Sequence, residues 1–204
     1  NVLDAAFDRL EVILSHFDNV YFSLSGGKDS SVMVQLAAIV AKKMNKKFDV
    51  LFIDLEAQYK ETIRHVEELK RNYDSVIDKF YWVCLPLSLR NASSIIQPKW
   101  ICWDENDRDK WVREMPDGAI NEKNNEWDWF KHGMEFEQFI IEFAKWYGNE
   151  NGMSAAGIGI RTDESLNRMR TIISDKKITF NNHGWTTLVR EAENVYNFYP
   201  IYDW

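Results

Sequence analysis

The sequence predicts an α/β fold, a three-layer αβα sandwich built around a mostly parallel β-sheet. Short apolar runs alternate with longer segments in which apolar residues recur every three or four positions, a pattern typical of strands alternating with amphipathic helices. The first apolar run also ends in a glycine turn that leads directly into a helical pattern, as in a βαβ unit. Strands joined by helices are parallel, and the helices cover both faces of their sheet.

The first predicted helix lies at the start of the chain. Its apolar residues are spaced by steps of four and three positions, which places them on one face of a helix. These residues are Leu3, Phe7, Leu10, Leu14 and Phe17.

Three predicted strands and two predicted helices then alternate. The strands, over residues 20–24, 48–55 and 77–87, are apolar runs with few polar interruptions, as expected for strands buried on both faces. The helices, over residues 30–43 and 57–73, each place apolar residues on one face. Lysines gather near the end of the first of these helices, where the helix dipole favours positive charge.

A stretch from about residue 88 to 131 interrupts the alternation, which resumes with a helix over 134–148, a strand over 153–160 and a helix after Arg161. The stretch is too aromatic for a disordered linker. We therefore predict an insertion that folds over the top of the sheet, within a single domain covering residues 1–204. Its tryptophans are Trp100, Trp103, Trp111, Trp127 and Trp129.

Two interpretations of this Trp-rich insertion stay open. In the first, the aromatic side chains pack the insertion onto the body of the protein. In the second, they form a surface that grips a substrate or a protein partner.

Composition limits the classes of function. A chain of 204 residues with 45% hydrophobic content can bury one sizeable core. The net charge of −7 argues against a general affinity for nucleic acid or anionic membranes, without excluding a local basic pocket. No apolar run approaches the ~20 residues of a membrane-spanning helix. We expect a soluble cytoplasmic protein that binds neither nucleic acid nor membrane.

The two cysteines, Cys84 and Cys102, are too few for a disulfide framework or a four-cysteine iron–sulfur site. We expect both to be reduced and expect no iron–sulfur cluster. Cys84 lies on a predicted strand and is interpreted as core. Cys102 is the one internal candidate for a thiol nucleophile, and we disfavour that role.

The glycine turn, residues 25–30, reads Ser-Gly-Gly-Lys-Asp-Ser. At the carboxyl end of a parallel strand, such a turn leaves the first N–H groups of the following helix unpaired and facing a crevice. Gly26 and Gly27 let an anion approach the main chain, while Lys28 adds a mobile positive charge. The turn is therefore predicted to hold a phosphate or sulfate group.

Two familiar phosphate-binding loops do not fit this turn. A Walker A loop would need glycine where Phe22 stands and Ser or Thr where Asp29 stands. A dinucleotide fingerprint needs three spaced glycines, and only Gly26 and Gly27 are present.

The motif resembles instead the PP-loop of the ATP pyrophosphatase superfamily and, within it, the phosphoadenosine phosphosulfate (PAPS) reductase family. Three further segments are similar to family motifs: FIDLEAQYKETI at 52–63, GIGIRTDESLNR at 157–168 and YPIYDW at 199–204. A segment over 84–105 also resembles the Ibr-type regulators of prophage origin. The resemblance implies an adenine nucleotide alpha hydrolase-like fold.

The resemblance also implies the nucleotide-binding residues. Residues 25–30 would hold the terminal phosphates or the phosphosulfate, residues 53–55 the nucleoside, and two arginines would face the phosphates from across the crevice. Lys28 and Arg161 are the predicted catalytic residues. The full predicted set is Ser23, Ser25, Gly26, Gly27, Lys28, Asp29, Ser30, Ile53, Asp54, Leu55, Gly159, Arg161 and Arg168.

Several of these roles have alternatives. Asp54 would coordinate Mg²⁺, hydrogen-bond a ribose or cap the next helix, and Asp29 would favour the helix dipole or contact Mg²⁺. Arg161 is predicted to contact phosphate through its planar donor fork. Arg168 would either do the same or simply pair with Glu164 four residues earlier.

Three functions follow from the resemblance, in order of preference. The first is an enzyme that cleaves ATP at the α phosphate and releases pyrophosphate, with Mg²⁺ as the expected cofactor. The second is a reductase acting on PAPS or adenylyl sulfate through a cysteine beyond Trp204, since the chain is expected to be a fragment lacking a C-terminal tail. The third is a non-catalytic nucleotide-binding regulator that acts through a protein partner held by the insertion.

Overall fold

A computed structural model describes residues 1–91, 96, 98–174 and 176–204. Five residues of the predicted insertion, 92–95 and 97, lie outside the described residues. The described helices are α1 (Val2–His16), α2 (Lys28–Met44), α3 (Lys60–Asn72), α4 (Phe136–Asn151) and α5 (Leu166–Ile173). The described strands are β1 (Asn19–Leu24), β2 (Phe48–Ile53), β3 (Ile77–Cys84), β4 (Leu87–Arg90), β5 (Lys99–Ile101), β6 (Ile120–Asn121), β7 (Met134–Glu135), β8 (Ser154–Ile158), β9 (Thr186–Leu188) and β10 (Val195–Phe198).

The main sheet has seven strands in the order β6-β3-β2-β1-β8-β10-β9. All neighbours in it are parallel except β9, which runs antiparallel to β10 at one edge. The chain builds one side of the sheet from β1 through β2 to β3, and it later returns to the other side of β1 with β8. The strand order therefore reverses between β1 and β8, where open α/β sheets form a crevice at the carboxyl ends of their strands.

Helices cover both faces of this sheet, which confirms the predicted three-layer α/β class. Right-handed crossovers through α2 and α3 place these two helices on one face, and α1 packs against α2. Helix α4 covers the opposite face, where Tyr21 of β1 and Tyr81 of β3 each meet the ring of Phe143 edge-on. The described buried hydrophobic residues other than Ile172 and Tyr199 form one cluster, which extends from Ala6 to Ile201.

The Trp-rich insertion is folded, and it joins both sheets. Strands β4, β5 and β7 form a small second sheet in the order β5-β4-β7, while β6 extends the main sheet beside β3. Trp103 and Trp127 are buried in the core, and Trp127 stacks on Trp129 at 5.3 Å between ring centroids. For these tryptophans the packing interpretation is the one that the structure supports.

Most predicted elements are present with shifted ends. The strand predicted over 77–87 is wrong in extent, because β3 ends at Cys84 and β4 begins at Leu87. Pro86 lies between them and cannot donate to a strand ladder. Strands β9 and β10 were not predicted. No helix within the described part of the chain is both long and apolar enough to cross a bilayer.

Candidate functional site

The glycine turn lies at the point where the strand order reverses. It follows β1, whose neighbours are β2 on one side and β8 on the other. Ser23, in β1, is half-buried and lies level with Leu51 of β2 and Ile158 of β8. The turn, the residues after β2 and the residues after β8 therefore share one edge of the sheet, as the sequence predicts.

Hydrogen bonds between its two serines hold the turn in shape. The hydroxyl oxygens of Ser25 and Ser30 lie 2.9 Å apart, and the Ser25 N–H donates to Ser30 Oγ at 3.1 Å. Ser30 Oγ in turn donates to the carbonyl of Gly27 at 3.1 Å. Ser30 is buried and Ser25 is exposed. The two hydroxyls predicted to contact phosphate therefore also close the turn.

Gly26 is required by both conformation and space. Its φ of +76° lies in the left-handed region, which glycine adopts without steric cost. A Cβ atom here would also come within 2.5 Å of Thr62 Cγ2 on α3. The turn is thus seated directly against α3, and a larger residue would push the two apart.

Main-chain donors at the start of α2 are free. The N-cap residue, Gly27, provides no side-chain cap, and among the described residues the N–H groups of Lys28, Asp29 and Ser30 have no hydrogen-bond acceptor. Helix α2 is 17 residues long, so its dipole places partial positive charge at the same point. The exposed Lys28 side chain adds a full charge. This arrangement suits an anion.

Gly159, after β8, is packed against the start of α2. A Cβ atom on Gly159 would lie 2.9 Å from Ser30 Cα and 3.1 Å from Ser30 N. The atoms that it would meet are main-chain atoms of the turn, which cannot rotate away. Gly159 therefore sets the distance between the residues after β8 and the glycine turn.

Replacing Gly159 by alanine is expected to lower the free energy of unfolding by about 1–3 kcal/mol, the usual cost of overpacking. The added methyl group must displace the first turn of α2, so anion binding at the turn should weaken as well. Urea unfolding and a nucleotide titration measure the two effects.

Gly184→Ala is the matched control, because a Cβ atom at Gly184 meets nothing within 4 Å. We expect it to stay within about 0.5 kcal/mol of the parent, as for most surface changes. Equal stability and equal nucleotide affinity in the two variants would contradict the close packing described for Gly159.

Arg161 lies across the crevice from the turn, in contact with Asp29. Its Nε is 3.4 Å from Asp29 Oδ2 in α2, and its Nη1 is 3.4 Å from Asp163 Oδ2. Nε is buried and has no hydrogen-bond partner among the described residues. The carbonyl of Tyr202 accepts from the Thr162 N–H at 2.9 Å, which ties the segment carrying Arg161 to the YPIYDW stretch. The guanidinium thus lies beside Asp29, whose main-chain N–H is one of the free donors at the start of α2.

Arg168 is placed differently. It forms an ion pair with Glu164, and 42% of its side chain is exposed. Among the alternatives given by the sequence, the pairing with Glu164 is the one that the structure shows, although Glu164 precedes α5 and lies in a 3-10 turn over Thr162–Glu164. A role for Arg168 in phosphate binding stays a prediction.

Asp54 is fully buried and its carboxylate is surrounded by donors. Oδ2 accepts from the indole N–H of Trp82 at 2.9 Å, and Oδ1 accepts from the Glu56 N–H at 3.0 Å. Oδ1 also forms an ion pair with Arg113 of the insertion. In this arrangement the carboxylate has no lone pair directed at open space for a metal ion or a ribose.

The main chain around Asp54 is also largely occupied. Its N–H donates to the carbonyl of Val83 at 2.8 Å, and its carbonyl accepts from the indole N–H of Trp103 at 2.6 Å. The carbonyl of the half-buried Leu55 accepts from the Ala57 N–H at 2.7 Å, and Ile53 closes β2. The N–H of Leu55 has no acceptor among the described residues and is available to a ligand.

Two residues of this region were missed by the sequence reasoning, Arg113 and Trp103. Arg113 stacks on the Trp103 ring with its guanidinium carbon 4.9 Å from the ring centroid, and it pairs with Asp54. The Nε of Arg113 is buried without a partner among the described residues. The one signal in the sequence was that a buried carboxylate at Asp54 needs a cationic partner.

The predicted Mg²⁺ ligands fit unequally. Asp29 is partly exposed beside the turn, where one carboxylate and the phosphates of a nucleotide form the usual environment of Mg²⁺. Asp54 does not fit while Arg113 holds it. Among the described residues, no group of three His, Cys, Asp or Glu side chains is arranged to hold a metal ion.

Both cysteines are buried and poorly suited to nucleophilic attack. Burial raises the pKa of the Cys102 thiol to about 12, and it also raises the pKa of Cys84. The Cys102 thiol donates to the carbonyl of Leu85 at 3.5 Å. A thiol of this kind is almost entirely protonated at neutral pH, and the thiolate is the reactive form.

Fold and site together define an α/β protein with a glycine turn and a helix N-terminus at the reversal point of a parallel sheet. Residues 19–82 match the family model described as "Phosphoadenosine phosphosulfate reductase domain". The glycine turn, α2, β2 and α3 thus lie in a part of the chain that is similar to a PAPS reductase domain. Arg161 and Arg168 lie beyond the matched residues.

Two curated relatives are similar in sequence. "Uncharacterized protein YbdN" of Escherichia coli (strain K12) is 44% identical over 205 residues, covering 100% of this chain and 49% of the relative. "Uncharacterized protein MJ0066" of Methanocaldococcus jannaschii is 41% identical over 54 residues, covering 26% of this chain and 11% of the relative. The chain thus spans about half the length of the first relative, and its match to the second covers 11% of that protein.

Three solved structures are similar in fold. FMN adenylyltransferase from Candida glabrata, in complex with ATP, has a TM-score of 0.46 at 15% identity, covering 99% of this chain and 51% of that chain. The U34-tRNA thiolase NcsA from Methanococcus maripaludis, with its 4Fe–4S cluster, has a TM-score of 0.46 at 12% identity, and the match covers 99% of this chain and 60% of that chain. The NH3-dependent NAD synthetase from Campylobacter jejuni has a TM-score of 0.31 at 16% identity, and the match covers 39% of this chain and 34% of that chain.

Proposed function

We propose that this protein binds an adenine nucleotide with its phosphates on residues 25–30, and that it cleaves ATP between the α and β phosphates. The observation that carries the proposal is the set of free N–H groups on Lys28, Asp29 and Ser30 at the start of α2. Arg161 faces them across the crevice, where its buried Nε lies 3.4 Å from Asp29 Oδ2 and forms no hydrogen bond with a described residue. The similarity of residues 19–82 to a PAPS reductase domain favours an adenine nucleotide over free phosphate as this anion.

The reaction is an in-line transfer at phosphorus. An oxygen of an acceptor attacks the α phosphorus, the bond from that phosphorus to the α–β bridging oxygen breaks, and pyrophosphate leaves with the electron pair. The acceptor oxygen loses its proton to solvent or to the nucleotide. No described side chain beside the turn is placed as a dedicated general base, so positioning and charge stabilisation supply the catalysis.

Each residue has a defined part in this proposal. The free N–H groups and Lys28 stabilise the charge that develops on the departing pyrophosphate. Arg161 holds the nucleotide from the opposite side, and Gly159 sets the width between them. Asp29 is the carboxylate placed to hold Mg²⁺, which would neutralise phosphate charge when bound with the nucleotide.

A second candidate is a nucleotide-binding regulator without turnover. One observation favours it: the Asp54 carboxylate is held by Trp82 and Arg113 and is not free to serve the nucleotide. The resemblance of residues 84–105 to the Ibr-type regulators also favours this regulatory function. A protein partner would then bind exposed residues of the insertion, since Trp103 and Trp127 are buried.

Product analysis tests the proposal. The full-length protein is incubated with ATP, adenylyl sulfate or PAPS, each with and without Mg²⁺, and the nucleotides are separated and quantified. We expect AMP or an AMP adduct plus pyrophosphate from ATP, only when Mg²⁺ is present. Tight binding of unchanged ATP would favour the regulator. Release of sulfite would contradict both candidates and indicate a reductase with a cysteine outside this chain.

A further inference from the structure

A second cavity lies between the turn that follows β2 and the insertion. Its volume is about 650 Å³, enough for a small organic group. No residue of the glycine turn or of the segment after β8 lines it. Its walls include Glu56, Ala57, Trp100, Asp107, Lys110 and Trp111.

The buried carboxylate of Glu56 is the feature of this cavity that indicates a ligand. The residue is 5% exposed, yet its carboxylate has one protein partner, the Trp103 N–H at 2.8 Å from Oε2. Its Oε1 pairs with no described residue. Glu56 also has a φ of 64°, a left-handed conformation that is uncommon for a residue other than glycine. Strained backbone of this kind tends to occur where a side chain is held for function.

The charge of Glu56 is not balanced inside the cavity. Lys110 Nζ lies 2.6 Å from Asp107 Oδ1, so the other two charged residues of the wall neutralise each other. The flanking Trp100 and Trp111 are half-buried. Trp111 is fixed by its indole N–H, which donates to the Asp104 carbonyl at 3.0 Å. The Arg108 guanidinium carbon lies 5.1 Å from the centroid of the Trp111 ring, so this ring already accepts a planar cation on one face. A carboxylate in a cavity that two tryptophans also line is suited to a planar cation, which can form a charged hydrogen bond and aromatic contacts together.

We propose that this cavity binds an amidine-, guanidine- or amine-bearing group, and that it is the acceptor subsite of the reaction proposed above. The assignment as acceptor subsite depends on that proposed function, whereas cation binding does not. Glu56 and Ala57 follow β2 at the same edge of the sheet as the glycine turn, which brings an acceptor to the nucleotide. Glu56 is then a specificity-determining residue.

Benzamidine is the probe that tests cation binding, with benzoate as its isosteric anion. Both are titrated by calorimetry into the nucleotide-free protein, and tryptophan fluorescence is followed in parallel because two indoles line the cavity. We expect benzamidine to bind and benzoate not to bind. The variant Glu56→Gln should weaken benzamidine about tenfold or more, since it removes the charged partner. Glu67→Gln, an exposed carboxylate on α3, should leave the affinity unchanged.

A second variant covers the case in which Glu56→Gln does not fold. Val112 lines the cavity and is 58% exposed, so Val112→Arg adds a cation there without disturbing the core. It should abolish benzamidine binding. Equal binding of benzoate, or unchanged affinity in Glu56→Gln and Val112→Arg, would overturn the proposal.

A titration in the presence of ATP separates this proposal from the function of the crevice. We expect benzamidine to bind equally well or better when ATP occupies the glycine turn. Competition between them would show that the cavity holds the adenine, and it would overturn the acceptor subsite. Benzamidine binding in a protein that binds no nucleotide would instead refute the proposed function and leave the cation site standing.

Discussion

Replacing Arg113 by alanine will lower the free energy of unfolding by about 3–5 kcal/mol, the cost of leaving one member of a buried ion pair without its partner. Asp54 is 0% exposed, and Arg113 is the one cation that pairs with it among the described residues. The variant also removes the guanidinium that covers the Trp103 ring. Urea unfolding followed by tryptophan fluorescence measures the loss.

Arg108→Ala is the matched control in the same insertion. Arg108 pairs with Glu114 at 2.9 Å, but both side chains are largely exposed, so its loss should cost about 1 kcal/mol or less. Adding Asp54→Asn to Arg113→Ala should recover part of the stability, because the unpaired buried charge is then gone. A loss in Arg113→Ala no larger than in Arg108→Ala would show that Asp54 does not depend on this arginine.

The central part of the fold was predictable because its signals are local. Strands β1 and β2 are short apolar runs, and α2 and α3 have one apolar face each, so periodicity alone locates them. The glycine turn was predictable for the same reason, since its six residues are contiguous and follow a strand. Their position at the edge between β1 and β8 follows from the general rule for parallel sheets.

Strands at the margin of the sheet were not predictable in this way. β9 has three residues and β10 has four, both shorter than the window in which a period can be recognised. Each is a strand because a neighbour supplies hydrogen bonds, not because its own sequence demands it. Propensity for strand depends on such context more than propensity for helix does.

The contacts of Asp54 could not be predicted because they span the insertion. Its partner Arg113 lies 59 residues away, and Trp103 lies 49 residues away. Neither of these separations along the sequence corresponds to the period of a helix or a strand. The sequence placed Asp54 correctly at the end of a strand but left its carboxylate free, whereas the folded insertion covers it with donors. The insertion therefore covers the edge of the sheet at which the nucleoside is predicted to bind.

Replacing Lys28 by alanine should lower the turnover of ATP by about 10²–10³-fold, the usual effect of removing one donor from a preorganised charge-stabilising site. Lys28 is exposed at the first position of α2, where it reaches an anion on the free N–H groups of the turn. The N–H groups remain in the variant, so nucleotide binding should weaken less than turnover. Pyrophosphate release gives the rate, and a calorimetric titration with ATP in the absence of Mg²⁺ gives the affinity.

Lys42→Ala serves as the control because Lys42 is an exposed lysine in the last turn of the same helix. It changes the net charge of the protein and the composition of α2 by the same amount, but it lies at the end of α2 away from the glycine turn. Equal rates together with equal affinities in the two variants would place the phosphates elsewhere. A loss of affinity without a loss of rate would mean that Lys28 binds the nucleotide before and during the reaction equally, which excludes it as a catalytic residue.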